Sequence, residues 1–223
     1  MSVADNVQGV LANIKEAELE ACRPLNSTTL VGVTKYVDSA RARELVGTGV
    51  NNLAENRVDK FLEKHEDLSD LNITWHFIGS LQSRKVRDVI NLVDYFHALD
   101  SLKLAKEISK RADHKIKCFL QVNISGETSK HGFNPKQVEE VIKEISALTN
   151  IEVIGLMTMA PIDAKEAELL NIFSKARKLQ EDIKNLGLEN VSCTELSMGM
   201  SRDYKQAILE GATFVRIGSE LFK

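Results

Sequence analysis

Little in this sequence would break it into pieces. Its 223 residues include only three prolines and no glycine- or serine-rich stretch, so one domain spanning residues 1–223 is expected. Three cysteines, Cys22, Cys118 and Cys193, are an odd count without ligand-like spacing. They argue against a disulfide framework and read as reduced thiols of a cytoplasmic protein. The five histidines form no ligand pattern either, so no metal is expected. No apolar run approaches the roughly 18 residues needed to span a bilayer. The start, Met1-Ser2-Val3-Ala4-Asp5, lacks the basic and apolar regions of a secretion signal. Neither sign of charge dominates: a net charge of -3 and a pI near 6.0 give no overall pull toward nucleic acid or an anionic membrane.

What is present is alternation. After a helix-spaced apolar stripe in residues 3–21, short apolar runs alternate with amphipathic stretches. Strands are predicted at 29–35, 51–56, 74–80, 95–100, 116–124, 151–159, 191–198 and 213–222. Helices are predicted near 39–48, 57–68, 83–92, 101–113, 135–148, 164–186 and 202–210. This is the count of an α/β (β/α)8 TIM-type barrel. The sequence stops on the eighth strand, so the N-terminal helix is expected to cover the place of the last outer helix. A doubly wound open sheet is the rival. It would normally carry a glycine-rich first turn, whereas the first turn here is Lys35-Tyr36-Val37-Asp38-Ser39.

Three segments carry candidate chemistry. Lys35 closes the run Leu30-Val31-Gly32-Val33-Thr34-Lys35, at the strand end where such folds place their sites. Desolvation there would favour a neutral, nucleophilic amine able to capture an aldehyde; the plain reading is a lysine that snorkels to solvent. In Glu195-Leu196-Ser197-Met198-Gly199-Met200-Ser201-Arg202-Asp203 a strand runs into a helix start, and Ser201 reads as an N-cap beside exposed amides. In Phe214-Val215-Arg216-Ile217-Gly218-Ser219-Glu220 an arginine sits inside an apolar strand. It must find a ligand or an ion-pair partner, with Glu195 and Glu220 as candidates. Loops after strands seven and eight of a barrel recurrently bind phosphate. A lysine on strand one with such a cradle suits pyridoxal 5'-phosphate, and an arginine at its ring nitrogen would weaken the electron sink.

Further segments carry a resemblance. They are Ala54-Glu55-Asn56-Arg57, Trp75-His76-Phe77-Ile78-Gly79-Ser80-Leu81-Gln82-Ser83-Arg84-Lys85, His97-Ala98-Leu99-Asp100, Gln121-Val122-Asn123-Ile124-Ser125, Ser129-Lys130-His131-Gly132 and Gly155-Leu156-Met157. Together with the three segments above, the sequence resembles the YggS/PROSC family of pyridoxal-phosphate homeostasis proteins, whose barrel is similar to the N-terminal domain of alanine racemase. The resemblance implies that Lys35 forms a Schiff base with the cofactor, Asn56 lies beside its ring substituents and Met157 lines the pocket. It further implies that Ser201, Gly218 and Ser219 bind the phosphate and that Arg216 faces the pyridine nitrogen. His76 reads as a hydrogen-bonded core residue, outside the site. The family usually has glycine at Ala54 and an acidic residue at Arg202.

Three functions compete. The first is a carrier that holds pyridoxal phosphate, buffers its aldehyde and delivers it to apo-enzymes, with no catalytic residue. The resemblance implies a monomer for it. The second is an amino-acid racemase-like enzyme of weak activity. It needs a second acid/base opposite the lysine, which alanine racemase takes from a C-terminal domain not expected here. The third is a class I aldolase, which normally carries its lysine on a later strand. The carrier is the expectation.

Overall fold

The computed structural model describes residues 2–127 and 131–223. Eight parallel strands pair in chain order, and the last pairs with the first to close a barrel. They are β1 (Thr29–Val33), β2 (Asn52–Glu55), β3 (Thr74–Phe77), β4 (Tyr95–Leu99), β5 (Ile116–Gln121), β6 (Ile151–Met157), β7 (Val191–Met200) and β8 (Phe214–Ile217). The outer helices are α1 (Val3–Glu20), α2 (Ser39–Val46), α3 (Val58–Asp67), α4 (Val86–Val89), α5 (Leu102–Arg111), α6 (Val138–Ser146), α7 (Glu166–Lys184) and α8 (Tyr204–Leu209). The predicted TIM-type architecture is therefore present.

The N-terminal helix covers the expected place. Its start is fixed by a capping box, in which Ser2 and Asp5 each bond the other's backbone N–H. Its stripe of Val3, Val7, Val10, Ile14 and Ala17 is buried, and the helix packs against α8. Asn6 Nδ2 then donates to the carbonyls of Leu221 (3.2 Å) and Lys223 (3.0 Å), stitching the first helix to the last turn.

Several boundaries differ from those read in the sequence. β1 ends at Val33 because Val37 N–H bonds the Thr34 carbonyl at 3.0 Å, turning Lys35 and Tyr36 out of the strand. β8 ends at Ile217, since a Leu221 N–H to Gly218 carbonyl bond of 3.0 Å curls the chain. The helix expected over 83–92 is two 3-10 turns around the short α4. Asn91 bonds the end of α5 there, through Arg111 O (3.2 Å) and Asp113 N (3.1 Å). Cys118 and Cys193 are buried core residues, while Cys22 is exposed.

Strand alternation sorts side chains into an interior and an outer layer. Gly32 of β1 faces outward, where an added Cβ would stand 2.6 Å from a Leu45 methyl of α2. The inward side chains of β3, β4, β5 and β8 form an aromatic layer. Phe119 and Phe214 meet edge to face at 5.3 Å, His97 stacks on Phe119 at 4.3 Å, and His76 stacks on Tyr95 at 4.6 Å.

Between the barrel wall and α3 lies a buried ion pair. Lys64 (1% exposed) and Glu55 (0%) bond through Nζ and Oε1. Lys64 also donates to the Thr34 carbonyl at 2.7 Å, and the Thr34 hydroxyl donates to Glu55 Oε1 at 2.7 Å. Two charges out of water are tolerated only when each keeps its partner. The cluster ties together the residues immediately before Lys35 and Asn56. Lys64→Met should lower unfolding free energy by about 3–5 kcal/mol by stranding the Glu55 carboxylate. The double variant Glu55→Leu/Lys64→Met should recover most of that loss. Urea unfolding of the three proteins checks it, and equal losses in single and double variants would refute it.

Candidate functional site

All seven residues singled out in the sequence lie at the carboxyl ends of strands, on one face of the barrel. Lys35 follows β1, Asn56 follows β2, Met157 closes β6, Ser201 follows β7, Arg216 lies in β8, and Gly218 with Ser219 follows β8. Because β1 neighbours both β2 and β8, Lys35 stands between Asn56 on one side and the Gly218-Ser219 turn on the other.

Close backbone packing holds these loops. At Gly79 an added Cβ would lie 1.9 Å from the Asn56 carbonyl oxygen, so only glycine lets the loop after β3 run against Asn56. At Gly218 a Cβ would meet the Val33 carbonyl at 3.0 Å, which presses the turn after β8 against the end of β1. Ser201 is not the N-cap that its sequence suggested. β7 continues to Met200, α8 starts only at Tyr204, and Asp203 Oδ1 accepts from Met200 N–H at 2.6 Å. The Ser201 hydroxyl instead accepts from Gly218 N–H at 3.4 Å, joining the two small-residue loops.

Lys35 follows the plain reading of a solvent-facing strand-end lysine rather than a desolvated one. It is exposed, with its Nζ 4.9 Å from the centre of the 83% exposed Tyr36 ring, so burial does not desolvate it here. Met157 is buried, Asn56 is half-buried and Ser219 is exposed. Arg202 is exposed, and so are Arg84, Lys85 and Arg87 in the segment after β3. Ser129 and Lys130 of the sequence resemblance lie outside the described residues.

Arg216 is the buried charge of the site, 4% exposed. Among the described residues its hydrogen bonds go to Ser197 Oγ through Nη1 (2.7 Å) and to the Thr158 carbonyl through Nη2 (3.1 Å), rather than to Glu195 or Glu220. Burial pulls its pKa down to about 10, against the opposing pull of the Asp203 charge, so it remains a cation at neutral pH.

A family model for the N-terminal domain of alanine racemase matches residues 7–223. A pyridoxal phosphate homeostasis protein of Aquifex aeolicus is 39% identical over 100% of this chain and 98% of its own length. The chain belongs to the pyridoxal phosphate homeostasis protein family. Another member, from Pseudomonas aeruginosa, is 37% identical over 99% of this chain and 95% of its own. Among solved structures, PipY of Synechococcus elongatus with pyridoxal phosphate (PLP) bound is 32% identical, with a TM-score of 0.86 and complete coverage of both chains. Alanine racemase of Clostridium difficile shares the fold alone. It is 18% identical at a TM-score of 0.77, over 98% of this chain and 56% of the racemase.

Sequence reasoning missed part of the candidate site's surroundings. Behind Arg216, His97 Nδ1 lies 2.8 Å from Ser197 Oγ, and His97 Nε2 lies 2.8 Å from His76 Nδ1. His76 Nε2 lies 3.0 Å from Asn52 Oδ1. The reading of His76 as a hydrogen-bonded core residue therefore agrees with its contacts, but its link to Arg216 was not foreseen. The signal was period-two alternation, which turns His97 of β4 inward with Tyr95. A separate cavity of about 420 Å³ opens at the opposite mouth, lined by Lys117, Glu152, Glu195 and Thr213 among others.

Burial lowers the pKa of His76 to about 3 and holds His97 well below the ordinary value, where His76 and Arg216 also oppose its charging. Both therefore stay neutral when folded but charge readily when unfolded. Their contribution to stability is complete above about pH 6.5 and is lost as pH falls toward 3, at up to about 1.4 kcal/mol per pH unit for each. Urea unfolding should show His76 alone removing about 1.6 kcal/mol between pH 6.5 and 5, a loss absent from a His76→Phe variant. Imidazole NMR signals of either residue titrating near pH 6.5 in the folded protein would contradict this.

Proposed function

We propose that this chain holds pyridoxal 5'-phosphate reversibly, as a Schiff base to Lys35, and serves its homeostasis by buffering the aldehyde and delivering it to apo-enzymes. In this reading it is a single-domain cytoplasmic monomer, with no nucleic-acid or membrane partner and no catalytic residue. One observation carries the assignment: the order of the strand ends matches the order of groups around the cofactor ring. The formyl group stands between the phosphate arm and the ring hydroxyl, as Lys35 after β1 stands between Gly218-Ser219 after β8 and Asn56 after β2.

The donor set fits the same ligand. Ser201, Ser219 and the Gly218 amide suit phosphate oxygens, and the close contact of Gly218 with Val33 keeps that cradle beside the lysine. The Asn56 amide suits the ring hydroxyl, and Met157 supplies an apolar wall. When bound, the cofactor supplies an aldehyde that exchanges between amines and a ring that can accept electrons. Arg216, charged at neutral pH and able only to donate hydrogen bonds, disfavours a proton on the ring nitrogen and so weakens the electron sink. Lys35 is exposed, which favours exchange with other amines. Of the tyrosines, Tyr95 borders the opposite mouth, and Tyr204 bonds Asn13 at 3.0 Å in the outer layer. Neither stands across from Lys35 as a second base, and the third, Tyr36, adjoins Lys35 on the same turn with its ring centre 4.9 Å from Nζ.

Purified protein incubated with PLP should show a near-visible absorption band that borohydride fixes onto Lys35. Lys35→Ala should lose the band, and its unchanged persistence would remove the lysine assignment. Release to an apo-enzyme, followed as recovered activity, tests delivery. Alanine racemisation at ordinary enzyme rates, abolished by Lys35→Ala, would replace the carrier with the racemase.

A further inference from the structure

The interior carries two buried histidines that holding a cofactor does not by itself require. We infer that Ser197, His97 and His76 are positioning residues for Arg216, forming a one-way train of hydrogen bonds in which both imidazoles are neutral Nε2–H tautomers. The inference deepens the reading that Arg216 faces the cofactor's ring nitrogen, and rests on it.

The direction follows from the donor inventory. A guanidinium can only donate, so Ser197 Oγ accepts from Arg216 Nη1 at 2.7 Å. The serine proton then points at His97 Nδ1, 2.8 Å away, which must present a lone pair. The His97 proton therefore sits on Nε2 and is donated to His76 Nδ1 at 2.8 Å. His76 in turn carries its proton on Nε2 and donates to Asn52 Oδ1 at 3.0 Å. Running the train backwards would aim two N–H groups at the Ser197 oxygen and leave its own proton to seek a third partner. Charging either imidazole would put two donors where one lone pair is needed.

The consequence falls on Arg216. Every dipole of the train turns its negative end toward the guanidinium, and each link polarises the next. The Thr158 carbonyl fixes the second terminal nitrogen at 3.1 Å. Two acceptors at separate nitrogens set the plane of the group as well as its position. The aromatic layer clamps the train itself: His76 is stacked on Tyr95 and His97 on Phe119, so neither ring is free to turn. Asn52, at the start of β2, thus reaches Arg216 through three side chains.

Long-range 15N–1H NMR of the histidines, recorded without cofactor at pH 7, reads the tautomers directly. Both rings are expected as neutral Nε2–H forms; an Nδ1–H His97 or a charged ring overturns the train. The second measurement uses PLP labelled at its ring nitrogen. Ser197→Ala and His97→Leu should keep the near-visible band but weaken PLP retention about tenfold and move the ring-nitrogen resonance. His97→Asn, which restores an acceptor toward Ser197, should return both toward the parent values. A Ser197→Ala protein with parent affinity and parent resonance overturns the positioning role, even if His97→Leu fails to fold. A parent protein that binds no PLP removes the functional reading as well as this role, and the cofactor-free spectrum tells that failure apart from a wrong train.

Discussion

A guanidinium sealed inside a barrel is the constraint around which the interior is arranged. Arg216 sits where uncharged side chains would normally fill the space, and a cation out of water needs an acceptor for its donors. The chain supplies Ser197 and the Thr158 carbonyl directly. Ser197 then needs an acceptor of its own, which brings in His97, and so on to Asn52. One buried charge thereby fixes polar residues on β2, β3, β4 and β7. Phe119, Phe214 and Tyr95 fill what the polar train leaves, because any further polar group would raise the same demand again.

The two lysines that flank the site are treated in opposite ways. Lys64 is buried and spent on structure, bonded to Glu55 and to the Thr34 carbonyl. Lys35, one residue after Thr34, is exposed beside Tyr36. The buried lysine fixes the backbone from which the exposed one projects. A rigid base under a free amine suits a group that must be reached from solution, and the fixed cation at Arg216 suits a ring that is held more than it is activated.

The barrel was legible because its strands are apolar on both faces and its helices are not. That contrast recurs eight times between residues 29 and 217. The strand-end positions of Lys35, Ser201, Arg216 and Gly218 followed from the same periodicity, whereas Asn56 and Met157 were singled out by the family resemblance. Strand ends were less legible, since the turn bonds that stop β1 at Val33 and β8 at Ile217 are made by backbone groups with no side-chain signature. The same holds for Ser201, where a strand that runs on to Met200 displaced the helix start. The protein partners of Arg216 were left open in the sequence for another reason. Opposite charge in the sequence offered Glu195 or Glu220 as ion-pair candidates, but the groups that meet it are the neutral Ser197 hydroxyl and the Thr158 backbone carbonyl, which no charge pattern singles out. Of the two settings the sequence left open for Lys35, the solvated one is present, because the turn carries the side chain away from the strand.

Closure also has a meaning in time. Lys35 and Asn56 come from the first two strands, whereas Ser201, Arg216, Gly218 and Ser219 come from the last two, and they meet through the pairing of β1 with β8, from Thr29 with Phe214 to Gly32 with Ile217. Contacts of such separation form late, after nearly all of the chain is available. During synthesis the amine therefore emerges long before anything that could cradle a phosphate beside it. A partly made chain carries a lysine but no pocket, and the final seam of the barrel completes both together.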